Sequence, residues 1–213
     1  MESGKVIQHR TLRLLLGVLG MLLPLVLVGG GYLAGDGVLP TLSTYYHSQS
    51  PILHGFFVGT VFSVGAFLFC YKGYEEKRWG FLGDNWTANV AGIGAFFTAI
   101  FPTASVEYAS ATYAEKAFSV VHNISTLVFL LASAAMVLLL FTRTKKDKKP
   151  DDGKKKRNCI YRTCGRVMVA GTVALVILFL TEYDIPHALL GLESVVIFAF
   201  GVAWFVKAIR RPA

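Results

Sequence analysis

The chain has 213 residues, 54% of them hydrophobic, and a formal net charge of +8. Its apolar stretches are long and almost free of charge, which excludes an ordinary soluble domain, where apolar and polar positions alternate at short period. The positive charge does not indicate nucleic-acid binding, because most of it lies in segments that flank the apolar stretches.

Six apolar segments follow one another along the chain, each long enough to cross a bilayer as a helix of about 20 residues. The first is too long for the apolar part of a secretory signal peptide, and no clear cleavage site follows it. We therefore expect an all-α polytopic membrane protein in which residues 1–213 form a single membrane domain. Its six transmembrane helices are expected at about 13–34, 52–71, 87–103, 118–142, 160–181 and 187–206.

The basic residues lie almost entirely on one side of these spans. Of the 21 lysine and arginine residues, all but Lys116 belong to the two termini, to the second and fourth connections, or to the span ends beside them. Basic segments remain in the cytoplasm, so both termini are predicted to be cytoplasmic. A basic cytoplasmic loop is expected over residues 143–159, where the run from Pro150 to Gly153 should interrupt any helix. This loop is expected to contact anionic membrane lipids.

Four of the five histidines fall at the opposite, outer end of the spans. His47 lies in the first outer connection, whereas His54, His122 and His187 lie near the starts of the three spans that enter from that side. Neutral imidazoles suit zinc, and three of them leave a fourth position for a water nucleophile. The pattern predicts a zinc site of His54, His122 and His187, with His47 as a reserve ligand or catalytic base.

Other interpretations of these histidines remain open. Each imidazole can instead bond a loop carbonyl at the membrane interface, independently of the others. Two histidines that face each other across helices can also hold a haem, and histidines that titrate near neutral pH can act as a proton sensor. No two of them have the local spacing of a metal motif, so packing alone would have to assemble a shared site.

Glu193 is a carboxyl group within the sixth predicted span, about 9 Å deeper than His187. Carboxyl groups inside a membrane are rare and indicate function. Six residues rotate a helix by about 240°, so Glu193 and His187 do not share a face. We predict a catalytic or proton-accepting role for Glu193 below the outer opening. The alternative is a polar clamp between helices, with Ser125 or Thr126 as partner.

Small residues at near-fourfold spacing follow the second predicted span: Gly55, Gly59, Ser63 and Ala66. Small side chains allow another helix to approach closely. The stripe predicts a tight helix contact beside His54, and small-residue faces of this kind are also where a homo- or hetero-oligomer is expected to assemble.

Four short motifs resemble an uncharacterised family of bacterial inner-membrane proteins with six spans. They are S-x-Y-Y-H at 43–47, Y-K-G-Y at 71–74, R-N-x-x-Y-x-x-C-G at 157–165 and F-G-x-x-W-x-x-K at 200–207. The resemblance implies the six-span architecture and a location in the inner (cytoplasmic) membrane, and it implies no activity.

Ser43-x-x-x-His47 is also similar to one element of the CREST superfamily, which includes alkaline ceramidases and proteins of the adiponectin-receptor type. In that superfamily S-x-x-x-H, a later Asp and H-x-x-x-H surround an intramembrane zinc, so the similarity implies a membrane hydrolase. Asp84 is the candidate for the second element, but it falls on the opposite side of the predicted membrane. Gly191 stands where a second histidine would follow His187.

Three classes of function follow from these observations. The first is an intramembrane metal-dependent hydrolase that acts on a lipid-like substrate at the outer leaflet. The second is a non-enzymatic transporter, channel or pH sensor that uses the outer histidines and Glu193. The third is an accessory subunit of a larger membrane complex, in which the small-residue faces mediate assembly.

Overall fold

The computed structural model describes residues 2–35, 37–71, 73, 83–103, 111–143, 151–181, 185 and 187–209, with side chains from Arg10 onward. These residues form six α-helices and no strand. The helices are α1 (Glu2–Ala34), α2 (Pro51–Phe69), α3 (Asp84–Ile100), α4 (Tyr113–Ala135), α5 (Asp152–Thr181) and α6 (Ala188–Ala208). A 3-10 helix (Ser43–His47) precedes α2, and a π-helix (Met136–Leu140) continues α4.

The lengths of the helices fit a multi-pass membrane protein. Among the described residues, five helices are long and apolar enough to cross a membrane: all but α3. The exception has 17 residues, or about 25 Å of helix, which is at the lower limit for a span. The prediction of an all-α protein is confirmed.

Several helices begin earlier than the predicted spans, and polar side chains account for the early starts of α4 and α5. At the start of α4, Thr112 and Glu115 form a reciprocal capping box, in which the Glu115 carboxylate accepts the Thr112 backbone N–H at 2.7 Å. At the start of α5, the Asp151 carboxylate accepts the backbone N–H of Lys154. The segment 152–159, predicted as part of a non-helical loop, is therefore helical. By contrast, α2 begins at Pro51, as its missing N–H predicts.

The helices form a closed ring in the order in which they occur in the chain. Each packs on the next, and α6 returns to pack extensively on α1. Glycines allow close approach at the crossings, because a β-carbon on Gly201 of α6 would lie 2.6 Å from the Met21 nitrogen of α1. On the other side of the ring, a β-carbon on Gly92 of α3 would lie 2.9 Å from the Gly65 carbonyl oxygen of α2. Small residues at such crossings are typical of helices that pack within membranes.

The two ends of the ring differ in chemistry. We call the end where α1 and α5 begin the basic end; it includes Arg13, Arg143, Lys154 and Lys207. The other end, which we call the histidine end, includes His47, His54, His122 and His187.

Aromatic rings fasten the helices together at the basic end. Trp204 of α6 is fully buried, and its ring meets Tyr71 and Phe141 edge-on at centroid distances of 5.0 and 4.9 Å. Phe141 also contacts Tyr161 of α5 at 5.5 Å, and the Lys207 ammonium lies 4.3 Å from the centre of the Phe141 ring. Edge-to-face pairs and cation–π contacts each contribute about 0.5–1.5 kcal/mol, so this cluster holds three helices and the end of α2 in one arrangement.

This aromatic cluster accounts for three of the four motifs quoted above. Y-K-G-Y contributes Tyr71, R-N-x-x-Y-x-x-C-G contributes Tyr161, and F-G-x-x-W-x-x-K contributes Trp204. Lys72 and Tyr74 of the first motif lie outside the described residues. The three motifs are thus explained by packing at one end of the bundle.

Candidate functional site

The segment between α1 and α2 covers the histidine end of the ring. Its 3-10 helix carries Tyr45, whose side chain is fully buried. The ring of Tyr45 rests against Gly31 near the end of α1, where an added β-carbon would lie 2.6 Å from the tyrosine oxygen. Glycine at this position therefore makes the space that Tyr45 occupies, and the short helix is seated on the bundle rather than projecting from it.

Glu193 clamps this segment to α6. Its carboxyl Oε2 accepts the backbone N–H of Leu42 at 2.6 Å. One turn earlier in α6, the Leu190 N–H donates to the Pro40 carbonyl at 3.1 Å. The observed partner of Glu193 is thus a backbone amide of the segment, whereas the alternative of a clamp between helices placed it against a side chain of α4.

Thr126, one of the side chains predicted to bond Glu193, is engaged elsewhere. Its hydroxyl pairs with the Thr98 hydroxyl at 3.1 Å, across the contact between α3 and α4. Thr98 in turn donates to the Gly94 carbonyl at 2.9 Å. The Thr126 hydroxyl of α4 is therefore satisfied by α3.

Three of the four histidines at this end bond backbone carbonyl groups. His54 Nδ1 bonds the Tyr46 carbonyl, and its ring packs edge-on against Tyr46 with centroids 5.0 Å apart. His47 Nε2 bonds the Thr103 carbonyl at 2.8 Å. His122 Nδ1 bonds the Phe101 carbonyl, also at 2.8 Å. The carbonyl groups at the end of a helix have no hydrogen-bond partner within the helix. The imidazoles of His47 and His122 are the partners of two carbonyl groups just after α3.

His122 and His187 differ sharply in their surroundings. His122 is 1% exposed, between α3 and α4, and no hydrogen-bond partner is found for its Nε2 among the described residues. His187 is exposed and precedes α6 with a left-handed backbone (φ 57°), a conformation uncommon for a residue other than glycine. Its side chain makes no capping hydrogen bond to the helix.

The structure does not bring the predicted zinc ligands His54, His122 and His187 together. Within the described ranges no group of three or more His, Cys, Asp or Glu side chains is close enough to hold a metal ion. The physical reason is that α3 separates α2 from α4 in the ring, while α6 packs between α1 and α5. The three histidines lie at a similar depth along their helix axes, but similar depth does not bring their side chains to one metal site. The remaining catalytic candidates, His47 and Glu193, are likewise each bonded to backbone groups.

Among the described residues, the cavity between α1, α2, α4 and α6 is too small for a substrate. A central cavity of about 20 Å³ is lined by apolar side chains of α1, α2, α4 and α6, with Thr60 as its polar member. That volume holds about one water molecule, whereas sites for small molecules usually have about 300–1,000 Å³.

The small-residue stripe of α2 is exposed at its first two members and half-buried at Ser63 and Ala66. Gly65, which does not belong to the stripe, packs against α3. Gly55 and Gly59 are exposed, and nothing lies within 4 Å of a β-carbon built on either of them. The tight contact expected beside His54 is therefore not formed by these glycines within the chain.

The backbone partners of this end could not be recognised from residue types. Leu42, Tyr46, Phe101 and Thr103 contribute main-chain groups, which every residue has. One available signal was the break after α3 at Pro102, which leaves carbonyls near the level of the histidines. Comparison with known protein families, with curated proteins and with solved structures finds no match to this chain.

Proposed function

We propose that the chain is a six-span protein of the cytoplasmic membrane that serves as a non-enzymatic subunit of an oligomeric membrane complex. Both termini are cytoplasmic in this proposal, since all lysines and arginines but one flank the same side of the spans. In this proposal α3 also spans the membrane, in addition to the five longer helices. It is short but packs between α2 and α4.

One observation carries the assembly role: Gly55 and Gly59 are exposed in α2, and no described residue lies within 4 Å of a β-carbon built on either of them. Elsewhere in the ring, glycines such as Gly17, Gly92 and Gly201 sit where another helix presses against them. A glycine in the middle of a helix lowers helix stability by about 1 kcal/mol relative to alanine. An exposed pair of glycines therefore destabilises α2 unless another helix packs against it. Gly-x-x-x-Gly in an apolar helix is a typical face for association with a second helix.

The chemistry of the histidine end favours this function over the other two classes. A hydrolase or a proton relay needs groups that can reach a substrate or pass a proton. His47 and His54 hold loop carbonyls, His122 is buried with one nitrogen on the Phe101 carbonyl, and Glu193 holds the Leu42 amide. These contacts support a rigid cap on the bundle.

The test compares two Gly→Leu substitutions in protein extracted from its native membrane with a mild detergent. Gly59→Leu places a large side chain on the proposed face, while Gly191→Leu does the same at another exposed helical glycine with open space around it. Neither leucine clashes within the chain, and both raise helix propensity, so both variants should fold. Complex size is measured by size-exclusion chromatography with light scattering.

Gly59→Leu is expected to lower the association constant by about tenfold, equivalent to about 1.4 kcal/mol, with Gly191→Leu unchanged. A wild-type protein that is monomeric in its own membrane would refute the assembly role. An equal loss in both variants would also refute it, because the effect would not belong to this face of α2.

A further inference from the structure

A groove of about 400 Å³ runs along the first half of α5 on the surface of the bundle. Its lining residues recur every three or four positions and therefore share one helix face. They are Lys155, Asn158, Cys159, Arg162, Thr163 and Arg166. This volume lies within the usual range for small-ligand sites.

The two arginines of the groove have no counter-charge in the described part of the chain. Arg162 and Arg166 are exposed, and neither takes part in an ion pair there. After Asp152, α5 contains no acidic residue. Their side chains are four residues apart, so their β-carbons lie about 5–6 Å from each other and both guanidinium groups can reach one anion.

The depth of these arginines favours a partner that is an anion from outside the chain. The 15 residues from Val167 to Thr181 carry no charge and span about 22 Å, while the hydrocarbon core of a bilayer is about 30 Å thick. Arg166, and Arg162 one turn before it, therefore lie at or inside the edge of the hydrocarbon. Among the five candidate spans α5 has the smallest share of its apolar window buried, which leaves much of its surface open to lipid. A cation at that position is costly unless it pairs with an anion or reaches the headgroups.

The same face continues into the membrane as an apolar strip. Val169, Val173, Ile177 and Leu180 follow Arg166 at spacings of three and four, and all are exposed. A molecule that places a phosphate between the arginines can therefore lay hydrocarbon chains along the helix below. The combination of a basic groove and an apolar strip fits an amphiphile with a negatively charged headgroup.

We propose that Lys155, Arg162 and Arg166 bind the phosphate headgroup of an anionic phospholipid in the leaflet at the basic end. In the orientation proposed above this is the cytoplasmic leaflet. The site rests on the membrane embedding of α5 and is independent of assembly through α2. Lys155 is the most peripheral member, since its ammonium also pairs with Asp152 at 2.9 Å, where both side chains are largely exposed to solvent.

The experiment is native mass spectrometry of the delipidated protein in detergent, titrated with phosphatidylglycerol or with phosphatidylcholine of the same acyl chains. Arg162→Gln/Arg166→Gln removes the two central charges of the groove. Arg10→Gln/Lys156→Gln is the matched control, because it removes two exposed charges at the same end but outside the groove. Arg162→Lys/Arg166→Lys replaces the same two side chains but keeps their charge. It separates the effect of losing charge from the effect of changing these positions on folding.

The wild type is expected to bind phosphatidylglycerol in preference to phosphatidylcholine at low salt. The groove variant should lose about 30-fold in this affinity, the control variant should lose little, and the lysine variant should retain most of it. An equal loss in the groove and control variants would overturn the site, since any basic residue would then serve. Displacement of the lipid by inorganic phosphate at similar concentration would overturn the lipid assignment. Either result can occur with the Gly59→Leu outcome unchanged, so failure here is distinguishable from failure of the assembly role.

Discussion

Removal of the Glu193 clamp should loosen the cap at the histidine end. Glu193 accepts the Leu42 N–H at 2.6 Å, and Leu42 is only 3% exposed. A buried N–H left without an acceptor costs about 1–3 kcal/mol, so Glu193→Ala is expected to lower the free energy of unfolding by that amount. Glu193→Gln should cost less than about 1 kcal/mol, because the amide oxygen still accepts. Glu193→Lys should be the most damaging, since a lysine at that depth adds about 2.5–3.5 kcal/mol.

The assay for the clamp is hydrogen–deuterium exchange in detergent, combined with thermal unfolding. In Glu193→Ala, peptides that cover residues 38–46 should exchange faster, while peptides from 88–99 in α3 should exchange as in the wild type. Ser194→Ala is the control, because it truncates the next side chain and leaves the carboxyl group in place. If Glu193→Ala showed wild-type exchange over 38–46 and an unchanged melting temperature, the segment would be held by other contacts and the reasoning would fail.

Three further predictions address the packing, the metal and the orientation. Gly201→Ala should lower the melting temperature by several degrees because its β-carbon meets the backbone of α1, whereas Gly191→Ala should not; equal effects would contradict the close contact of α1 with α6. A chelator should leave the melting temperature unchanged, because the histidines bond carbonyls and not a common ion; a loss restored by zinc would reinstate the metal site. In a variant without native cysteines, Pro40→Cys should react with an impermeant maleimide in intact cells and Lys155→Cys only after permeabilisation; the reverse pattern would invert the orientation.

The helices were predictable because the membrane imposes a simple rule on sequence. A span needs about 20 apolar residues, so hydropathy marks where α2 and α6 run and Pro51 marks where α2 begins. The polar extension of α5 to Asp152 escaped this rule, because a helix outside the hydrocarbon needs no apolar residues. Its capping carboxylate, Asp151, was visible but had been interpreted as a helix breaker.

The arrangement of the site was less predictable, because the depth of a side chain along its helix does not determine the direction in which it points around the helix axis. His54, His122 and His187 were placed correctly at one end of the bundle, but their positions along the axes do not say which helices are neighbours. For Glu193 the sequence predicts a catalytic or proton-accepting role, or a clamp, but its observed partner is a main-chain amide that no residue pattern reveals. For Gly55, spacing predicts a close-packing surface but does not say whether the packed helix belongs to this chain.

Photo-crosslinking at the exposed face of α2 in native membranes is the most direct test of the central claim, that this face binds another membrane helix. Phe62 follows Gly59 on that face and is 47% exposed, with its ring edge-on to Phe96 of α3 at 4.8 Å, so a photoreactive phenylalanine analogue keeps the aromatic ring that this contact needs. The analogue at Phe179 of α5, which is 62% exposed, is the matched control. We predict a protein adduct from position 62, either to a second copy or to a partner subunit, and only lipid adducts from position 179. Lipid adducts alone at position 62, or the same protein adduct from both positions, would contradict the claim.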